Sequence, residues 1–227
     1  MLLLDFKFCE DFLDAIELSK NEISLLKNII PVKYAEFLAI FIEDSKSRLK
    51  IPFKLIFDSK NQTTGLLLDK NLSSKISEIN QFVYYVNFAQ RLSRKIKIIY
   101  ENSRLSKTEL LKLKINMNSI YAICACLKQN IQSKFEEFEK QLLEQNNETP
   151  KYLKIKHDFE DLISTLERKC FMTDKYTFLS QIFGAIFENL FKMSKYELSN
   201  NSLIETNCNL SFHIDSLQNS IFSRLFN

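Results

Sequence analysis

The chain nearly lacks the two residues that punctuate turns. Its 227 residues include only two glycines, Gly65 and Gly184, and three prolines, Pro31, Pro52 and Pro150. Average usage would supply roughly 16 glycines and 11 prolines in this length. Glycine provides the positive-φ positions that tight hairpins demand, and both residues mark turns. A chain so poor in both is confined to a few long elements, which favours long helices over many short strands.

The apolar spacing agrees. Phe8, Phe12 and Ile16, then Ile23, Leu26 and Ile30, predict helix over about residues 6–29. Ser19-Lys20-Asn21-Glu22 has the form of a capping box, where two helices would meet. Pro31 opens a helix to about Arg48 with Ala35, Leu38 and Ile42 inward. Pro52 stops it. Phe53–Phe57 and Gly65–Leu68, around the polar loop 58–64, form the one candidate β-hairpin, near 53–68. The other reading of that stretch is an irregular apolar loop packed on helices.

The remainder reads as helix throughout. Ile76, Ile79, Val83, Val86, Ala89, Leu92, Ile96 and Ile99 predict one from about Ser74 to Asn102. Ser106-Lys107-Thr108-Glu109 is a second capping box and opens the longest. There Leu110, Leu113, Met117, Ile120, Cys124, Leu127 and Ile131 follow 3-4 spacing, and Phe135, Phe138 and Leu142 continue it after one slip in phase. Ending near Asn146, that helix would be about 60 Å long at 1.5 Å per residue. Thr149 and Pro150 suit the start of the next, 150–169, with Tyr152, Ile155, Phe159, Leu162 and Leu166 on one side. The short connection makes these two an antiparallel pair. The helix after Thr173-Asp174 is apolar over much of its circumference, which predicts a place in the middle of a bundle. Ser199–Asn209 reads as a polar loop before a terminal helix carrying Ile214, Leu217, Ile221 and Leu225.

The expected fold is therefore all-α: an elongated multi-helix bundle with a long antiparallel helical pair and at most one small β-hairpin. One domain over 1–227 is expected. The alternative is a subdivision near 50–72, with N-terminal helices in 1–50 and the main bundle in 73–227.

Five scattered cysteines do not form the dense framework of a secreted disulfide scaffold. Met1-Leu2-Leu3-Leu4 is followed by Asp5 and has no basic leader, unlike a signal peptide. Phe178–Met193 is interrupted by Gln181, Glu188 and Asn189 and is too short to span a bilayer. These features predict an intracellular protein, cytoplasmic or nuclear, with no transmembrane segment.

Several chemistries are excluded. Phosphate-binding loops need clustered glycines, and Gly65 and Gly184 stand far apart. Cys124 and Cys126 are two apart on a helix, so they point roughly 200° apart and cannot chelate one ion together. The only histidines are His157 and His213, too few for a catalytic metal shell. Lys154 stands where a di-iron bundle would need the Glu of a Glu-x-x-His pair. Glu10-Asp11-Phe12-Leu13-Asp14 resembles the magnesium motif of helical prenyl-transfer enzymes, but no second acidic motif accompanies it. No metal and no cofactor is expected.

One charge asymmetry stands out. Arg91, Arg94, Lys95, Lys97, Arg104, Lys107, Lys112 and Lys114 fall within one stretch against only Glu101 and Glu109, in a chain of net charge +3. Acidic residues gather elsewhere, at Asp5–Glu22 and Glu136–Glu148. Cations at the start of the 107–146 helix and glutamates near its end both oppose its macrodipole, so helix stability does not explain the arrangement. Two antiparallel helices would collect the basic residues at one tip, suited to an anionic partner. The plainer reading is a solvated tip, or one neutralised by the chain's own acidic segment.

The leading functional expectation is a non-catalytic interaction or scaffold subunit of a larger intracellular assembly. It would bind protein partners through the long amphipathic helix, whose stripe is Leu110, Leu113, Met117, Ile120, Leu127 and Ile131, and through the basic tip. Homo-oligomerisation is one form of this. The second expectation is direct binding of nucleic acid or anionic membrane by residues 91–114. The third is an enzyme with a dispersed site.

Overall fold

The computed structural model describes residues 38–41, 54–57, 69–101, 103–145, 152–173, 176–194 and 198–225. Five helices dominate them: α1 (Lys70–Ile99), α2 (Lys107–Gln145), α3 (Tyr152–Lys169), α4 (Thr177–Ser194) and α5 (Asn200–Leu225). Two short strands, β1 (Leu38–Phe41) and β2 (Lys54–Phe57), precede them. The fold is an all-α multi-helix bundle. The helices expected over 6–29, the capping box at Ser19–Glu22 and the turn at 146–150 lie outside the described residues.

One expectation near the strands is corrected. β1 falls inside the helix expected from Pro31 to Arg48, and it pairs with β2. The pair is antiparallel, with Leu38 opposite Phe57 and Phe41 opposite Lys54. Leu38-Ala39-Ile40-Phe41 is a continuous apolar run, and a run that short fits a strand as well as a buried helix. Gly65–Leu68 lies outside the described residues.

The helix starts follow from side-chain caps. Leu72 donates its N–H to Asp69 Oδ1 at 2.7 Å, so α1 begins before the expected Ser74. The second capping box forms in full: Ser106 N–H donates to Glu109 Oε2 at 2.9 Å, and Glu109 N–H to Ser106 Oγ at 3.2 Å. These bonds to Ser106 hold the Glu109 carboxyl below its ordinary value. Ser202 donates its N–H to Ser199 Oγ at 3.3 Å, which caps α5. The polar stretch expected as a loop up to Asn209 is thus helical from Asn200. Its serines and asparagines suggest a loop, yet Leu203, Thr206, Asn207 and Leu210 are buried there.

α3 stops in a Schellman arrangement. Phe171 N–H donates to Arg168 O at 3.3 Å, and Met172 N–H to Glu167 O at 3.0 Å. Phe171 is left-handed, with φ 57°, which costs a non-glycine residue about 1–2 kcal/mol. Its ring meets Phe82 edge-on with centroids 6.3 Å apart, an aromatic contact that offsets the strain.

The chain forms two compact units, residues 1–84 with 129–172 and residues 85–128 with 173–227. In the first, Phe138 lies 6.0 Å from Phe159 and Lys169 Nζ donates to Asn130 Oδ1 at 2.8 Å. These contacts make α3 antiparallel to the C-terminal part of α2, as the short connection between them predicts. The Lys75–Glu167 ion pair at 2.8 Å, with Phe82 on Phe171, makes α3 parallel to the start of α1. Ile76, Ile79, Val83, Ile131, Phe135, Ile163 and Leu166 form the core of this unit.

In the second unit Tyr85 and Phe88 pack on Phe187 with centroids 4.8 and 5.4 Å away. Tyr100 donates its hydroxyl to Met193 O at 3.0 Å, which ties the end of α1 to α4. α4 packs along α5. Leu179, Ile182, Ile186, Leu190 and Met193 are buried, but Phe178 and Phe191 are exposed, so α4 is covered on one side only.

Candidate functional site

The basic residues lie where α1 and α2 run side by side within the second unit. Arg94 meets Tyr121, Lys97 meets Asn118 and Lys114 meets Glu101. One helix counts up as the other counts down, so the pair is antiparallel. The short connection after Ile99 is held by Ser103 Oγ, which donates to Tyr100 O at 2.8 Å, and then by the capping box.

The structure sorts the cations into two groups. Arg94 stacks on Tyr121, 4.7 Å from its ring centroid, and donates to its hydroxyl at 2.5 Å. Lys97 donates to Asn118 Oδ1 at 3.1 Å, and Lys114 pairs with Glu101 at 3.5 Å. These three latch the helices together. Arg91 is half-buried and also engaged. Lys95, Arg104, Lys107 and Lys112 are exposed. The charge is therefore a band that covers about 12 Å of α1 from Arg91 to Ile99, at 1.5 Å per residue, and continues through the connection into the start of α2, rather than a knot at the extreme tip.

Beside this band sits a feature that the sequence reading passed over. Ile98, Leu111 and Ile115 are 71%, 59% and 54% exposed. Leu111 and Ile115 are one turn apart, and Ala122 and Cys126 continue the same exposed line. The register set by Arg94–Tyr121 and Lys97–Asn118 turns Ile98 to the same outward side of the pair. The signal was present in the adjacent pairs Ile98-Ile99 and Leu110-Leu111. Successive helical residues point about 100° apart, so both members of such a pair do not fit one narrow inward stripe.

The long stripe itself is core. Leu113, Met117, Ile120, Leu127 and Ile131 are buried, and Leu110 at its end is half-buried. Asn116, also buried, donates to Asn207 Oδ1 at 2.8 Å, Asn207 O at 3.2 Å and Ser211 Oγ at 2.8 Å, which fixes α5 against α2.

Cys124 is buried and Cys126 exposed, as their angular separation predicts. Burial pushes the Cys124 thiol up to about 12 from 9.0, with Lys128 pulling slightly the other way, and burial raises Cys170 as well. A raised thiol pKa stabilises the fold fully below the unfolded value. That contribution falls as pH rises above 9.0 and is lost through about 12. We therefore expect a thiol reagent at pH 8 to label Cys126 and Cys208 quickly, and Cys124 and Cys170 only on unfolding. Peptide mapping of the labelled protein checks this, and rapid native labelling of Cys124 would contradict its burial.

Among the described residues no group of three or more His, Cys, Asp and Glu is placed to hold a metal ion. His157 is exposed and faces Asp161 at 3.6 Å along its own helix. The chain matches no protein-family model, no curated protein and no solved structure.

Proposed function

We propose that this chain is a non-catalytic binding component of a larger assembly, and that it engages an anionic partner through the outward side of the α1–α2 pair. The stripe on α2 is consumed by the chain's own core, whereas the basic band stays exposed. The observation that carries the reading is the state of Lys95, Arg104 and Lys107. All three are exposed, and among the described residues no carboxylate lies within ion-pair distance of them. Exposed like charges gathered in one band raise the local positive potential and attract a polyanion.

Retention on immobilised heparin tests this. The wild-type chain should bind and elute with salt. The Lys95→Glu/Lys107→Glu variant should elute at markedly lower salt. Lys154→Glu/Arg168→Glu changes net charge equally at exposed positions of the first unit and should elute close to wild type. Equal shifts in the two variants would show that only net charge matters and would remove the assignment to this face.

A further inference from the structure

Resting on that reading, we infer that the anionic partner is a lipid surface. The outward side of the α1–α2 pair lies flat on an acidic leaflet, with Lys95, Arg104, Lys107 and Lys112 at the headgroups and Ile98, Leu111 and Ile115 in the acyl boundary. Interfacial helices combine these two ingredients, an apolar strip and flanking cations. Here both are exposed together on one side of a helical pair.

α2 is more apolar than its core requires. It contains an 18-residue window that is apolar enough by composition to cross a bilayer, yet only 33% of that window is buried. The surplus appears on the outward line of Leu111, Ile115, Ala122 and Cys126. Spanning is disfavoured, because it would carry Lys112, Lys114 and Asn118 into hydrocarbon and strip α2 of its bonds to α1 and α5. Lying in the interface keeps every one of those bonds.

Other occupants fit less well. A second copy would set Lys95, Arg104, Lys107 and Lys112 against their own counterparts, like charge on like. A nucleic acid would satisfy the cations but leave three aliphatic side chains in water. Single strands grip by stacking bases on aromatic rings, and Tyr121 on this side of α2 is already covered by the Arg94 guanidinium.

Flotation with vesicles tests the inference. The full chain should float with vesicles containing phosphatidylserine, stay behind with pure phosphatidylcholine, and be released by high salt. Each cation near an acidic leaflet contributes about fivefold in affinity, so Lys95→Glu/Lys107→Glu should weaken binding by more than tenfold. The Ile98→Ser/Leu111→Ser/Ile115→Ser variant, folded by circular dichroism, should also lose at least tenfold on vesicles while eluting from heparin as wild type does. Undiminished vesicle binding by that serine variant would overturn insertion. Heparin retention that depends on Lys95 and Lys107, without any flotation, would overturn the lipid assignment and leave the anion-binding face standing. Tight binding to a single-stranded RNA in place of vesicles would do the same. A wild-type chain that binds neither heparin nor vesicles would remove the face altogether.

Discussion

Ile120→Asp is expected to destroy most of the stability of this chain. Ile120 is 2% exposed and sits midway along the α2 stripe, between the buried Met117 and Cys124. A carboxylate placed there has no partner charge, and taking an unpaired ion out of water costs several kcal/mol even after relaxation. A typical domain holds only about 5–15 kcal/mol, so the native state would be a minority species or would survive only where the acid is protonated. Ile120→Ala provides the graded control, at about 2–5 kcal/mol for the lost methyl groups and the cavity they leave. Leu111→Asp provides the positional control. It lies on the same helix and changes the same chemistry, but its side chain is already in water, so its effect should stay within about 0.5 kcal/mol. Urea denaturation of the three variants settles the matter. An Ile120→Asp protein with an unchanged urea midpoint would show that the stripe is not core and would return it to the role of a partner-binding surface.

The contrast between those two positions also explains what the sequence could and could not disclose. α2 was legible almost to the residue, because its 3-4 spacing is unbroken from Leu113 to Ile131 and its start carries a reciprocal cap at Ser106 and Glu109. α1 was legible for the same reason: its predicted inward residues are buried, save the half-buried Ile99. α5 was not. Its first half is polar by composition, and its helicity depends on tertiary partners such as Asn116, which no local pattern reveals. β1 failed for a different reason, since four apolar residues in a row have no period to read. At the candidate site, residue types alone located the basic stretch, but not which cations were spent on Tyr121, Asn118 and Glu101. That division depends on the register between two helices. The register also brings Ile98 to the side of Leu111 and Ile115.

The second large effect is expected at Asn116, where a polar cluster sits inside an otherwise apolar helix contact. Asn116→Leu removes the donor that serves Asn207 Oδ1 and Ser211 Oγ, both at 2.8 Å. Asn207 is itself buried, so its amide oxygen loses this bond where water does not readily replace it. A buried group left unsatisfied costs about 1–3 kcal/mol, and Asn116→Leu should fall near the upper end because two acceptors are orphaned at once. The asymmetry of hydrogen bonding gives a sharper test than the single variant. Replacing the whole cluster, with Asn116→Leu, Asn207→Leu and Ser211→Ala together, removes the orphaned side-chain groups and should recover most of the lost stability. What it should not recover is register. An all-apolar contact allows α5 to slide on α2, whereas the three bonds from Asn116 admit one alignment. Amide hydrogen exchange along 200–217 should therefore be faster in the triple variant than in wild type, even where the denaturation midpoints agree. A triple variant no more stable than Asn116→Leu alone would mean that shape, not hydrogen bonding, dominates at this contact, and equal exchange rates would show that the polar cluster does not fix the alignment of α5.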